Sequence, residues 1–144
     1  EVTTEGGLDV VNQLSLLGMQ VAKLNDAGIE VSLFIDADMN QIQAAHDIGA
    51  PVIELHTGEY ANAATPEQMR SELERLEEAT LFAQGLGLVV NAGHGLTKFN
   101  VGPIAAIDGM NELNIGHSLV ARALMVGLPQ AVSEFRAIMD RACL

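Results

Sequence analysis

The sequence predicts an α/β fold in which a parallel sheet is covered by helices. Three observations predict it: four short apolar runs, helical spacing of apolar residues between them, and glycines where one pattern gives way to the other. The 144 residues are 49% hydrophobic, which is enough for the core of one domain. No linker or low-complexity tract divides the chain.

The first half of the chain predicts a loop, two helices and two strands. The polar, glycine-bearing stretch EVTTEGGLDV at 1–10 predicts the loop. Apolar residues at steps of three and four then predict an amphipathic helix that ends at Gly28. These residues are Val10, Leu14, Leu17, Val21 and Leu24. Residues 30–36 and 51–58 are predicted strands, and residues 39–49 form a short helix between them.

Thr65 begins the next predicted helix. Thr65 is a favoured N-cap, Pro66 suits the first helical position, and Gln68 can close a capping box. Gly85 or Gly87 ends the helix. Its apolar face comprises Met69, Leu73, Leu76 and Ala83.

The last third of the chain predicts two strands and three helices. The strands lie at 88–95 and 110–117, and the helices at 101–107, 118–127 and 128–144. We expect Ser118 to cap the helix that follows the last strand.

Two architectures accommodate four such strands: an open doubly wound sheet, or a section of a (β/α)₈ barrel, which typically needs about 250 residues. Polar residues cluster at the same end of every strand: Asp36, Glu54 with His56, Asn91 with His94, and Asn114 with His117. A barrel brings these ends to one pocket, whereas an open sheet spreads them along an edge. We therefore predict the C-terminal half of a (β/α)₈ TIM barrel, strands 5–8 with their helices, as one domain over residues 1–144. The N-terminal strands lie outside this sequence.

The strongly negative net charge argues against some classes of binding partner. Seven Lys and Arg residues stand against 19 Asp and Glu residues, for a net charge of −12. This argues against nucleic acid and against an anionic membrane surface, since both attract basic faces. The single cysteine, Cys143, cannot form an internal disulfide, and no signal peptide or membrane span is present. These features predict a soluble cytoplasmic protein.

Glycine-histidine pairs follow the last two strands. Gly93 and Gly95 flank His94, which lets the backbone turn sharply beside a side chain that titrates near neutrality. Gly116 and His117 stand where a barrel's last strand meets its helix, the usual phosphate site of this fold. Each pair also has a plain structural interpretation: a histidine bonded to a carbonyl, or an ordinary strand-to-helix turn.

Other candidate groups are weaker. Glu54 and His56 share one strand face and could move protons, or form a structural pair. Asp36 and Asp38 could bind a divalent cation, but the histidines lack ligand spacing, and we predict no metal site. No Walker A, GxSxG or GxGxxG motif occurs.

Taken together, the strand exits resemble those of the pyridoxine 5′-phosphate synthase family of (β/α)₈ enzymes. The matching stretches are EVTTEGGLDV at 1–10, VSLFIDAD at 31–38, GAPVIELHTGEYA at 49–61, VNAGHGLT at 90–97 and ELNIGH at 112–117. They fall in order and cover the whole chain.

The resemblance implies a condensation of 1-deoxy-D-xylulose 5-phosphate with 3-amino-2-oxopropyl phosphate. The products are pyridoxine 5′-phosphate, inorganic phosphate and water, and no cofactor takes part. It implies that His94 is the proton donor, that Glu54 stabilises the transition state, and that Thr3 contacts the deoxyxylulose phosphate. Gly95, Gly116 and His117 are implied to hold the 3-amino-2-oxopropyl phosphate. It also implies a homo-oligomer, an octamer.

The chain departs from the family pattern in two ways. Lys98 precedes Phe99 where the family has an aromatic residue. The family's further catalytic histidine, its catalytic glutamate and its phosphate-binding arginines precede the matching region, so we expect these 144 residues alone to be inactive. Two alternatives stay open: another phosphosugar barrel enzyme, and a non-catalytic phosphate-binding half-barrel. An aldolase would need a strand lysine for its Schiff base, and no strand here has one.

Overall fold

The computed structural model describes residues 6–143 and contains one four-stranded parallel sheet. Its strands are β1 (Ser32–Ile35), β2 (Val52–His56), β3 (Val89–Gly93) and β4 (Met110–Asn114). Their spatial order is their order in the chain, and each neighbouring pair is parallel. A doubly wound sheet reverses its strand order at a switch point, and none is present among these strands. The predicted α/β class is confirmed, and the order is that of a barrel section.

Helices connect and flank the strands. In chain order they are α1 (Leu14–Asp26), α2 (Met39–Asp47), α3 (Gly58–Ala61), α4 (Pro66–Gly85), α5 (Val101–Ala105), α6 (His117–Val126) and α7 (Leu128–Ala142). A 3₁₀ turn at Val11–Gln13 leads into α1. The sequence predicts all of these except α3, whose single turn is too short for apolar periodicity to reveal it.

Helix α4 begins as its sequence predicts, with one difference. The Thr65 hydroxyl oxygen accepts a hydrogen bond from the Gln68 N–H at 3.2 Å. The Gln68 side chain reaches back to the N–H of Ala64, at 3.0 Å, rather than to that of Thr65. Gly87, with φ of 83°, follows the helix in the left-handed conformation that glycine accepts without strain.

Ser118 does not cap α6, which corrects the sequence prediction. The helix begins one residue earlier, at His117, with Gly116 at the N-cap and no side-chain cap. Ser118 therefore lies inside the first turn. Its hydroxyl donates to the carbonyl of Leu96, in the loop after β3. The serine links two loops instead of closing one helix end.

The two faces of the sheet differ in chemistry. Side chains alternate along a strand, so one set packs under the helices and the other set faces away. The buried apolar set includes Leu33, Ile35, Ile53, Leu55, Val90 and Ala92. The opposite set includes Phe34, Glu54 and His56, which are half-buried. In a closed barrel this second face is the interior.

Apolar surface is left uncovered at both ends of the sheet. Strand β4 and helix α6 contain no buried residue, and Leu124 is 82% exposed. The predicted apolar face of α1 is buried only in part: Val21 is buried, whereas Leu14 and Leu24 are exposed. These surfaces lie where a barrel would continue. None of the helices described over residues 6–143 is long and apolar enough to cross a membrane.

Candidate active site

A cavity of about 620 Å³ opens at the carboxyl ends of the strands. Its lining brings together every predicted site residue that the structure describes: Glu54, His94, Gly95, Gly116 and His117. Thr3, the other predicted substrate contact, lies outside the described residues. The polar ends of β2, β3 and β4 thus converge on one cavity, while Asp36 and His56 line a smaller cavity that His94 also lines. The individual roles stay predictions at this point.

His94 has an unusual backbone conformation. Its φ is 85°, the only positive φ at a non-glycine residue over 6–143. The flanking glycines leave no room for a side chain: a Cβ on Gly93 would overlap a Glu54 carboxylate oxygen, and one on Gly95 would lie 2.6 Å from the Ala61 Cβ. Such a strained residue persists only where its surroundings hold it, and these positions cluster at functional sites.

The segment that follows β2 holds the loop that carries His94. The buried Thr57 hydroxyl faces two carbonyl oxygens, of Gly93 at 2.7 Å and of His94 at 2.5 Å. The buried Tyr60 donates its hydroxyl to the Asn100 carbonyl at 2.8 Å. Burial raises the pKa of Tyr60, so the phenol keeps its proton and acts as a donor. The loop is therefore fixed at both ends.

Two rings, of His56 and Phe34, lie near the His94 imidazole. The His56 ring lies edge-on to it, with 5.0 Å between ring centroids, and the Phe34 centroid is 6.2 Å away. His56 is itself tied to the Asp36 carboxylate by its Nδ1, at 3.2 Å. The Nε2 atom of His56 is buried and has no hydrogen-bond partner among the described residues. The ring cluster limits the orientations open to His94.

Glu54 lies beside His94 in a half-buried position. Burial raises the pKa of its carboxyl above the usual 4.5, against a hydrogen bond from Asn114 that lowers it, while Glu112 raises it further. The Asn114 amide donates to Glu54 Oε2 at 2.8 Å and so fixes the carboxyl group. A carboxyl group with a raised pKa suits proton transfer better than an ordinary surface carboxylate does.

Helix α6 points its N-terminus at the same cavity. Gly116 and His117 line the cavity where the first backbone N–H groups of this ten-residue helix begin. The Ser118 bond to Leu96 joins this turn to the loop of His94. Unpaired N–H groups and the helix dipole favour an anion here, above all a phosphate.

The acidic residues after β1 make contacts within the protein. Asp38 accepts from the N–H groups of Asn40 and Gln41 and caps α2, while Asp36 contacts His56. Within the described part of the chain, no group of three or more His, Cys, Asp or Glu residues has a metal-binding arrangement.

Comparison with known proteins agrees with this geometry. The model of the family described as "Pyridoxal phosphate biosynthesis protein PdxJ" matches residues 1–141.

The chain belongs to the PdxJ family.

Curated relatives in this family carry the name pyridoxine 5′-phosphate synthase. The protein from Neisseria meningitidis serogroup C is 58% identical over all 144 residues, which make up 60% of its own length. The protein from Legionella pneumophila strain Corby is 56% identical over the same residues, 58% of its length. The PdxJ-family chain thus spans about three fifths of the length of these relatives.

Several cavity and loop residues are missing from the sequence-derived set. Phe34 lines the cavity and pairs with Glu54 in the register of β1 and β2, so a period of two applied to β1 would have found it. Thr57 carried no such signal, because its partners lie 36 and 37 residues away. Long-range contacts of this kind depend on the folded sheet.

Proposed function

We propose that this chain carries part of the active site of a pyridoxine 5′-phosphate synthase. The enzyme condenses 1-deoxy-D-xylulose 5-phosphate with 3-amino-2-oxopropyl phosphate, and pyridoxine 5′-phosphate, phosphate and water leave. One observation carries the proposal: Glu54, His94, Gly95, Gly116 and His117 line one cavity at the carboxyl ends of the strands. Membership of the family and the names of its curated relatives support it.

In this proposal His94 donates protons during imine formation and dehydration. An imidazole is the side chain whose ordinary pKa lies nearest neutrality, so it can both give and regain a proton there. The ring packing and the fixed backbone support the role, because a proton donor must be held within hydrogen-bond reach of the reacting atom.

Glu54 stabilises the charge that develops on the reacting nitrogen and carbon. The hydrogen bond that its Oε2 accepts from Asn114 supports a carboxyl group of fixed orientation. A fixed group aimed at developing charge contributes more than a mobile one, because it need not reorganise during the reaction.

Gly95, Gly116 and His117 hold the phosphate of 3-amino-2-oxopropyl phosphate. Backbone N–H groups at the start of α6 supply donors that do not depend on net charge. An overall charge of −12 is therefore compatible with a dianionic substrate. Thr3 contributes a contact to the deoxyxylulose phosphate.

We also propose that residues 1–144 are the C-terminal half of one (β/α)₈ domain. The uncovered surfaces of β4 and α1 support this, since partner strands and helices would bury them. The working protein is a cytoplasmic homo-oligomer, an octamer, and uses no cofactor or metal.

The test is an assay of the complete site. This chain is fused to the part of the Neisseria meningitidis relative that it does not match, and both phosphorylated substrates are supplied. We expect pyridoxine 5′-phosphate from the fusion, and a turnover lower by about 10²-fold or more in His94→Ala, the size of a general acid–base contribution.

Two other outcomes have distinct meanings. Binding of both phosphate esters without product would favour a non-catalytic phosphate-binding half-barrel. Turnover of a different phosphosugar would favour another barrel enzyme. Full activity in His94→Ala would contradict the proposed mechanism even if product forms.

A further inference from the structure

Thr57 uses its hydroxyl in an unexpected way. The residue precedes α3 at the N-cap, where a threonine side chain usually accepts a hydrogen bond from the helix's own N–H groups. No such cap bond forms. The hydroxyl, which has one proton to donate, instead lies within hydrogen-bond distance of the carbonyl oxygens of Gly93 and His94. Thr57 therefore lacks the usual cap bond to its own helix and instead contacts two carbonyl groups that lie 36 and 37 residues later in the chain.

This contact acts on the strained part of the backbone. The Gly93 carbonyl accepts a second bond, at 2.9 Å, from the Thr57 N–H, so one residue holds two successive peptide groups. These two carbonyls flank the Cα of His94, whose φ is 85°. Their orientation sets the direction of the His94 Cα–Cβ bond, and so the place of the imidazole.

Burial makes the contact costly to lose. Thr57 is fully buried, and Gly93, whose carbonyl the hydroxyl contacts, is buried as well. Water therefore has no access to replace the hydroxyl as a donor to the Gly93 carbonyl. Removal of the hydroxyl would leave the left-handed conformation of His94 with less support.

We propose that Thr57 is a positioning residue that sets the catalytic orientation of His94 through the main chain. The inference rests on the proposed function of His94 as proton donor. Thr57 itself lies beneath the loop and does not line the cavity.

The test compares variants in the full-length protein. Thr57→Val keeps the shape and removes the hydroxyl, and Thr57→Ser keeps the hydroxyl. We expect Thr57→Val to lower kcat by about tenfold to a hundredfold with KM within about threefold, because a displacement of about 1 Å can have an effect of that size. Thr57→Ser should recover most of that loss.

Thr80→Val is the matched control. Thr80 is also fully buried, and its hydroxyl donates to the Leu76 carbonyl within α4, at 2.7 Å, away from the cavity. We expect this variant to keep the kcat of the wild type. In a His94→Ala background, Thr57→Val should cause no further loss, because the two residues act through one ring.

A second readout separates this inference from the proposed function. The imidazole ¹⁵N and ¹³C resonances of His94, assigned by their loss in His94→Ala, should shift in Thr57→Val and stay in place in Thr57→Ser and Thr80→Val. That result would support the positioning role even if no pyridoxine 5′-phosphate forms. Unchanged resonances, or equal kcat losses in Thr57→Val and Thr80→Val, would overturn it. If Thr57→Val fails to fold, Thr57→Cys, with its weak donor, replaces it with the same expectations.

Discussion

At the residue scale, the site depends on a few positions where chemistry and backbone conformation meet. The sequence alone predicted that Gly93 and Gly95 would let the chain turn sharply around His94. The structure gives the physical reason, because a Cβ at either glycine would meet Glu54 or Ala61. The positive φ of His94 itself could not be predicted, since histidine only occasionally adopts it.

Gly93→Ala tests this close approach. The new methyl group would overlap the Glu54 carboxylate and lie 2.9 Å from the Asn114 carbonyl oxygen, so the carboxylate or the strand must move. We expect a loss of activity of about tenfold or more, from misplacement of a catalytic group, in a steady-state assay of the full-length protein.

Gly102→Ala is the control for that substitution. Gly102 lies in α5, where an added Cβ would make only an ordinary contact with Ile138, at 3.8 Å. Alanine is favoured over glycine inside a helix by roughly 0.5–1 kcal/mol, so this variant should be slightly more stable and fully active. Equal losses in both variants would contradict the argument from close approach.

Glu54→Gln should stabilise the protein while it impairs catalysis. Burial holds the folded-state pKa of Glu54 above the 4.5 of an ordinary glutamate, so the folded state binds more protons than the unfolded state between those two pKa values. The free energy of unfolding therefore falls as pH rises through this window. Glutamine avoids that loss and can still accept the bond from Asn114.

Urea denaturation of the wild type and of Glu54→Gln tests whether the substitution raises the free energy of unfolding. The variant should have the larger free energy of unfolding near neutral pH, and the difference should vanish below pH 4.5. Turnover should fall by about 10²-fold, as on removal of one stabilising group in other active sites. A variant that is less stable near neutral pH would contradict the assigned cause of the pKa shift.

At the element scale, helix α6 matters because it carries Gly116 and His117. It has no buried residue of its own, and it packs mainly against α7. Arg122 of α6 makes a two-pronged contact with Glu134 of α7, at 2.9 and 2.8 Å. The pattern of apolar residues predicted both helices, but not this ion pair.

Glu134→Gln tests the contact between the two helices. The Arg122 guanidinium lowers the pKa of Glu134 from 4.5 to about 2, so the carboxylate stabilises the folded state above pH 4.5 and loses that effect as pH falls toward 2. We expect faster amide hydrogen exchange in α6 of the variant near neutral pH, and a weaker affinity for phosphate esters. Arg136→Gln is the control, because its partner Asp140 lies on the same helix and both side chains are exposed. The same exchange in α6 of both variants would contradict a specific role for the pair.

At the scale of the whole molecule, the order of elements was the most predictable property. Four polar strand exits predicted convergence, and one cavity brings together the exits of β2, β3 and β4, whereas Asp36 and His56 line a second, smaller cavity. The burial of each helix's apolar face could not be predicted from the sequence. Leu14 and Leu24 share the apolar periodicity of α1, yet both are exposed. Periodicity shows which face is apolar, whereas burial depends on what packs against that face.

The uncovered surfaces predict a change in protection on completion of the barrel. In this chain alone, amides of the edge strand β4 should exchange quickly, because one side of the strand lacks partners. In the fusion with the unmatched part of the Neisseria meningitidis relative, they should become protected, while the central strand β2 changes little. Equal protection of β4 in the two proteins would contradict the half-barrel proposal.

The two glycine-histidine pairs have different proposed roles, proton transfer and phosphate binding, and one measurement tests that difference directly. It is the dissociation constant of 3-amino-2-oxopropyl phosphate, measured by calorimetry on the full-length protein and on His94→Ala and His117→Ala. We predict that His117→Ala weakens binding by about tenfold, the equivalent of about 1.4 kcal/mol, since the proposed contact of the imidazole with the phosphate is lost while the backbone N–H donors remain. His94→Ala should change the constant by less than about threefold, because a group that acts mainly in the transition state contributes little to ground-state binding. Strong weakening in His94→Ala with none in His117→Ala would contradict the assignment.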